Sequence, residues 1–206
     1  GSSISPSVAP PLTPAKRLAK KTGKRVKAAL PVHLNGRVCD MGLIADIAAR
    51  ENIALIEDAC HALGVPAVGA TPHSRFACFS THPVKGITTG EGGVVTTSDA
   101  EAAARMRKLR SHGMEHAPEA IEQRDEGFEN GTKRPWYYEM PEVGWNYRIP
   151  DVLCALGISQ LKKLERFFKR REEIAKLYDR LLAPLAPVLK PVPRGNAPHG
   201  LHLYAV

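Results

Sequence analysis

Short apolar runs alternating with amphipathic stretches constrain this fold more than any other feature of the chain. The runs are Ile53 to Glu57, Arg75 to Ser80 and Gly92 to Thr97. Each has the length of a buried strand and ends in polar or glycine-rich sequence. Between and around them lie helical patterns. Asp40 to Arg50 reads as a helix capped by Asp40, with Met41, Ile44, Ala45 and Ala48 on one apolar stripe. Asp99 to Arg110 reads as another, with Ser98 or Asp99 as its cap. This order predicts an α/β fold with a mostly parallel sheet flanked by helices, in which ligands bind at the carboxyl ends of the strands.

Other segments are read the same way. An apolar, strand-like run covers Val26 to His33, and a long helical pattern covers Asp151 to Leu182 before Pro184 and Pro187 break it. Residues 115–140 are polar, contain glycine and lack periodicity, as an ordered loop or flap would. Leu201 to Val206 resembles the start of a strand. Residues 1–11, rich in Ser and Pro, read as a frayed or cut end.

Composition matters here mainly for what it excludes. The net charge of +8 suggests a nucleic-acid partner, but Lys16, Arg17, Lys20, Lys21, Lys24, Arg25 and Lys27 account for almost all of it. Without those seven, 22 basic residues face 21 acidic ones. Leu12, Ala15, Leu18 and Ala19 recur at helical spacing beside them, and no aromatic side chain is present to stack on bases. A solvated helix face is the simpler reading, with no nucleic-acid role. No run has the length of a membrane span, and no signal pattern opens the chain, so a cytoplasmic protein is expected. Cys39, Cys60, Cys78 and Cys154 are scattered and read as small buried hydrophobes in a reducing compartment. His112 and His116 are spaced like a helical metal pair, but Gly113 lies between them and no third ligand is evident, so no metal is expected.

Two stretches carry chemistry. In Phe79 to Gly93, Lys85 follows a buried strand and precedes a glycine-rich turn. A lysine so placed, with its amine partly desolvated, can form a Schiff base with an aldehyde cofactor. Ser80, Thr88 and Thr89, with nearby glycine amides, offer donors to a phosphate. In Ile56 to Gly64, Asp58 falls at a strand end with His61 three residues on. A carboxylate there can keep a pyridine nitrogen protonated, so that the ring accepts electrons from a carbanion. An ordinary surface lysine and a simple helix cap are the plainer readings of each motif alone. The pairing of Asp58 with Lys85 favours the chemical one. His33 reads as a packing or hydrogen-bonding residue near this side, without a catalytic part. Trp136, Tyr137 and Tyr138 either line a sugar pocket or anchor the flap.

With these residues the chain resembles the sugar-nucleotide aminotransferases of the DegT/StrS type, which have the PLP-dependent aspartate-aminotransferase-like fold (fold type I). The resemblance runs from about Leu12 to the last residue. It rests on Pro31 to Gly36 followed by Asp40-Met41, on Glu57 to Gly64, and on Ser80 to Gly93. Arg110 to Gly113, Gly144 to Arg148 and His202-Leu203-Tyr204 add to it. His82 to Lys85, Thr88 to Gly93, Pro135 to Met140 and Ser159 to Leu161 are similar to the branch that aminates UDP-4-keto-6-deoxy-N-acetylhexosamines. That branch is typified by UDP-4-amino-4,6-dideoxy-N-acetyl-β-L-altrosamine transaminase.

The resemblance implies a transferase that uses pyridoxal 5′-phosphate (PLP) and moves an amino group, from L-glutamate, to a sugar nucleotide for polysaccharide biosynthesis. It makes Lys85 the Schiff-base lysine and later proton shuttle, and Asp58 the partner of the pyridinium nitrogen. His61 would lie near the ring face or phenolic oxygen, where relatives often have Gln. Ser80 would donate to the phosphate. Asn146 would reach the phosphate of a neighbouring subunit in a homodimer, with Tyr147 and Arg148 near the shared substrate site. Residues 12–150 would belong to the PLP-binding large domain. Residues 151–206 would form a helical connection and the start of the small C-terminal domain. Relative to the family, the helix N-terminus for the cofactor phosphate and the aromatic that stacks on the ring lie outside this sequence. Two other readings stand beside this one. A PLP-dependent sugar dehydratase is disfavoured by the lysine, and the other is a degenerate, non-catalytic binding or regulatory relative.

Overall fold

The computed structural model describes residues 13–66, 68–69, 73–194 and 199–206. The frayed or cut end expected for residues 1–11 lies outside the described residues.

The chain divides into two compact units, one of residues 1–96 and 156–206 and one of residues 97–155. In the first unit, helix α1 (Thr13–Thr22) precedes strand β1 (Ala28–Ala29) and helix α2 (Met41–Glu51). Strands β2 (Ala54–Asp58), β3 (Phe76–Ser80) and β4 (Gly93–Thr96) follow. The sheet order is β1-β2-β3-β4. β1, β2 and β3 run parallel, with Ala28 opposite Ala54 and Ile56 opposite Phe76. β4 is antiparallel to β3, with Ser80 opposite Gly93. The mostly parallel sheet expected from sequence is present.

α2 begins where a cap is available: the Asp40 side chain accepts from the Leu43 N–H at 3.0 Å. It ends at Asn52, which takes the left-handed conformation that asparagine tolerates. Met41 and Ala48 from the predicted stripe bury against Leu55 of β2, with Ile44 and Ala45 beside them. A second cluster joins Ala59, Ala77 and Phe79. These two clusters fix β2 and β3, whose carboxyl ends carry the residues of interest.

The expected strand from Val26 to His33 is shorter than its apolar pattern. Only Ala28 and Ala29 pair, and Val32 adds an isolated bridge to Asp58. Pro31 has no N–H for a ladder, although its carbonyl accepts from Asp58. The expected helix from Asp151 to Leu182 is two helices, α5 (Asp151–Leu161) and α6 (Leu164–Leu182), which follow α3 (Ala100–Leu109) and α4 (Arg124–Gly127) in chain order. The turn tightens where the Lys163 N–H bonds to the Gln160 carbonyl, and α6 then starts from the Lys163 carbonyl. Leu161 and Leu164 keep helical spacing across this break, so periodicity does not reveal it. Leu201 to Val206 forms no strand; instead the Gly200 and His202 N–H groups bond to the carbonyls of Gly36 and Asn35. The four cysteines are half-buried, not fully buried.

The second unit holds helix α3 (Ala100–Leu109), capped by Asp99, whose carboxylate accepts from Ala102. The flap segment is ordered. It contains a short helix α4 (Arg124–Gly127) and a hairpin of β5 (Phe128–Glu129) and β6 (Thr132–Lys133). Glu139 holds this segment together, accepting from the N–H groups of Glu122 and Gln123. Among the described residues no helix is long and apolar enough to cross a membrane.

Candidate functional site

β2 presents two consecutive carboxylates to opposite faces, as the pleat requires. Glu57 is fully buried, whereas Asp58 ends the strand half-buried. The Asp58 Oδ1 accepts from the Cys60 N–H at 3.2 Å. Burial alone would raise this carboxyl. The hydrogen bonds from Cys60 and the charge of Lys85 outweigh it and hold Asp58 below the usual aspartate range. It is ionised at neutral pH, as a partner for a cationic ring nitrogen must be. Cys60 shows the opposite effect: burial and the adjacent Asp58 push its thiol up to about 11.

Lys85 sits in the loop after β3. Its N–H closes a turn onto the His82 carbonyl at 2.9 Å. The carbonyls of Lys85 and Gly86 accept from the Arg171 guanidinium of α6, at 3.3 and 3.5 Å. α6 reaches this loop because it packs closely over Gly64, where a Cβ would lie 2.7 Å from Leu164. Thus the main chain at Lys85 is pinned, while its amine has no hydrogen-bond or ion-pair partner among the described residues. That amine is near enough to act electrostatically on Asp58, Cys60, His61 and His202.

The remaining predicted donors differ in their commitments. Ser80 Oγ accepts from the His82 N–H at 3.3 Å and keeps its own proton to donate. Thr88 Oγ1 accepts from the Gly90 N–H. Thr89 is buried; its hydroxyl donates to the Glu91 carbonyl at 2.7 Å and therefore accepts from Thr81. Thr89 holds the loop closed and is not placed to serve a phosphate. His33, expected near this side, is fully buried. Its Nδ1 accepts from the Cys39 N–H, so its proton is on Nε2, which donates to Glu57 Oε2 at 2.9 Å.

His61 is joined by a residue that the site reading missed. Its ring stacks at a tilt on His202, with centroids 4.2 Å apart. His202 figured in the sequence only as a closing motif, and nothing in local spacing could pair positions 141 residues apart. Asn146, Tyr147 and Arg148 belong to the second unit and are exposed there. Asn146 bridges to Ser111, and the Tyr147 ring stacks on Trp145 at 5.8 Å.

The chain is similar to known proteins in both sequence and fold. The model of the DegT/DnrJ/EryC1/StrS aminotransferase family matches residues 12–206. A UDP-4-amino-4,6-dideoxy-N-acetyl-beta-L-altrosamine transaminase of Campylobacter jejuni is 40% identical over 162 residues, 78% of this chain and 39% of that protein. Among solved structures, Helicobacter pylori PseC, an aminotransferase involved in the biosynthesis of pseudoaminic acid, superimposes with a TM-score of 0.69. It is 29% identical, over 88% of this chain and 45% of its own. NtdA of Bacillus subtilis, solved with bound cofactor PMP, gives 0.68 at 26% identity over 86% of this chain and 37% of its own. The chain spans about half the length, or less, of the curated relatives it matches.

Proposed function

The chain belongs to the DegT/DnrJ/EryC1/StrS aminotransferase family, and we propose that it forms the PLP-holding part of an enzyme that transfers an amino group from L-glutamate to a keto sugar nucleotide. The observation that carries this reading is the grouping of an ionised Asp58 with an unpaired Lys85 amine at the carboxyl ends of β2 and β3. The residues present fit the cofactor: a carboxylate for a ring nitrogen, an amine for an aldehyde, and a Ser80 hydroxyl with its proton available for a phosphate.

Bound there, PLP supplies an aldehyde and an electron-accepting ring. Asp58 keeps the ring nitrogen charged. Ser80 orients the phosphate group. Lys85, its backbone fixed by Arg171, holds or moves the proton at Nζ, a general acid–base role that needs an amine able to change partners. The UDP-4-keto-6-deoxy-N-acetylhexosamines are the substrate class favoured by the similarity to the Campylobacter jejuni transaminase. On the same reading Asn146 serves the phosphate of a neighbouring subunit, with Tyr147 and Arg148 beside it. Residues 12–150 then count with the large domain and 151–206 with the helical connection and small domain, in a cytoplasmic homodimer.

The test is PLP titration followed by visible absorbance, borohydride reduction and peptide mapping. The expected result is a phosphopyridoxyl group on Lys85 that is absent in Lys85→Ala. An unmodified Lys85 at saturating PLP, in both this chain and a longer one, would sink the proposal.

A further inference from the structure

The segment from His33 to Arg37 ties the site's two histidines together. His33 anchors it to buried Glu57 through the 2.9 Å side-chain bond, and to Asp58 through its N–H and the Asp58 carbonyl at 3.1 Å. Two residues later the Asn35 N–H donates to His61 Nδ1 at 3.2 Å. The Asn35 carbonyl in turn accepts from the His202 N–H at 3.1 Å. Asn35 adopts a left-handed conformation, φ 59°, which asparagine accepts more readily than most residues. Asn35 thereby fixes the ring of His61 and the main chain of His202.

This geometry has a chemical consequence. An imidazole nitrogen that accepts an N–H cannot carry a proton itself, so the proton of neutral His61 is on Nε2. Nε2 has no protein partner among the described residues. The ring is covered on one side by His202, whose Nδ1 is buried without a hydrogen-bond partner. Protonating His202 would place a charge in that setting.

We propose that His202 is a positioning residue which, with the Asn35 main chain, holds His61 as a neutral imidazole protonated on Nε2, so that the site is offered a hydrogen-bond donor. The inference rests on the reading of Asp58, His61 and Lys85 as one cofactor site. Its ligand class is an anionic or phenolic oxygen next to the ring that Asp58 would hold. The groups facing the pair agree with the assignment. Burial and the Lys85 charge lower His61, against an opposing pull from Asp58. Burial, then the charges of Lys85 and Arg171, lower His202 to about 4. Cys60 is a neutral thiol at neutral pH.

The test uses protein labelled with 15N in histidine and needs no turnover. Signals of His61 are assigned by their loss in His61→Gln, and folding of each variant is checked by circular dichroism. In wild type at pH 7, His61 is expected with a protonated Nε2 and bare Nδ1. In His202→Ala the ring regains water, and its proton affinity rises about tenfold, one pKa unit. His202→Phe keeps the packing and is expected to keep the wild-type state, which covers the case in which the alanine variant fails to fold. A cationic or Nδ1-protonated His61 in wild type would overturn the proposal. So would an unchanged midpoint in a folded His202→Ala, or a wild-type-like affinity lost in a folded His202→Phe. PLP is then added. Failure to label Lys85 while His61 behaves as described removes the proposed function and leaves the positioning intact. Labelling of Lys85 with a cationic His61 does the reverse.

Discussion

Replacing His33 by Phe should destabilise the first unit by about 1.5–3 kcal/mol, the usual worth of a buried hydrogen bond from a neutral donor to a charged group. The size follows from the surroundings. Both side chains are 0% exposed, and His33 Nε2 lies 2.9 Å from the Glu57 carboxylate. Phenylalanine fills the ring volume but donates nothing, so Glu57 loses one of its partners while Ser74 still donates to it. The Cys39 N–H also loses its acceptor. Glu57→Gln is milder, about 1–2 kcal/mol, because a neutral acceptor replaces a charged one at the same reach. The double variant His33→Phe, Glu57→Leu removes both members of the pair and should recover part of the loss, the Ser74 hydroxyl and the Cys39 N–H being left without these partners. Urea unfolding followed by far-UV circular dichroism gives the three differences and the coupling between the sites. A loss below about 1 kcal/mol in His33→Phe would refute the reasoning. So would a double variant as unstable as the sum of the singles.

Two further outcomes follow from the electrostatics. With its thiol pushed up to about 11, Cys60 holds about a hundredfold less thiolate at neutral pH than an unperturbed cysteine. Iodoacetamide labelling mapped by mass spectrometry should find it among the slow cysteines, and rapid labelling at pH 7 would contradict its placement beside Asp58. Asp179 is held below the usual aspartate range by Arg194, with a further bond from the Tyr204 hydroxyl at 2.8 Å. A depressed folded pKa contributes stability above the unfolded value, near 3.9, and loses it as pH falls through the folded one. Asp179→Asn should therefore cost less than about 1 kcal/mol at pH 7, the pair being partly exposed, and the gap to wild type should close below about pH 4. A gap that widens in acid would show that another group is responsible.

Much of the fold could be read from local chemistry. α2 and α3 announce themselves by an aspartate cap before an apolar stripe, and both caps are made. β2 and β3 are short apolar runs that end at the residues read as chemical. What escaped was decided by distant partners. The truncation of β1 depends on which neighbour Pro31 lacks a donor for. The split between α5 and α6 hides behind preserved leucine spacing. Lys85 and Asp58 could be singled out as candidates because a strand end is a local signal. Glu57 was quoted only as part of a motif, since a glutamate in an apolar strand looks like a solvent-facing position until its buried imidazole is known. Thr89 was misjudged because a hydroxyl's direction depends on how the loop closes. The stacking of His202 on His61 depends on where the last described segment crosses residues 35–37.

The adjacency of Glu57 and Asp58 also bears on the accuracy of assembly. A sheet strand displaced by one residue exchanges its two faces. In β2 that error would carry Asp58 inward, away from the site, and leave the imidazole of His33 opposite the wrong side chain. Elsewhere a slipped strand costs some packing; here it would strand a charge in the interior. Neighbouring carboxylates of different length thus act as a proofreading mark for the register, rejecting a mispaired sheet before any cofactor could test it.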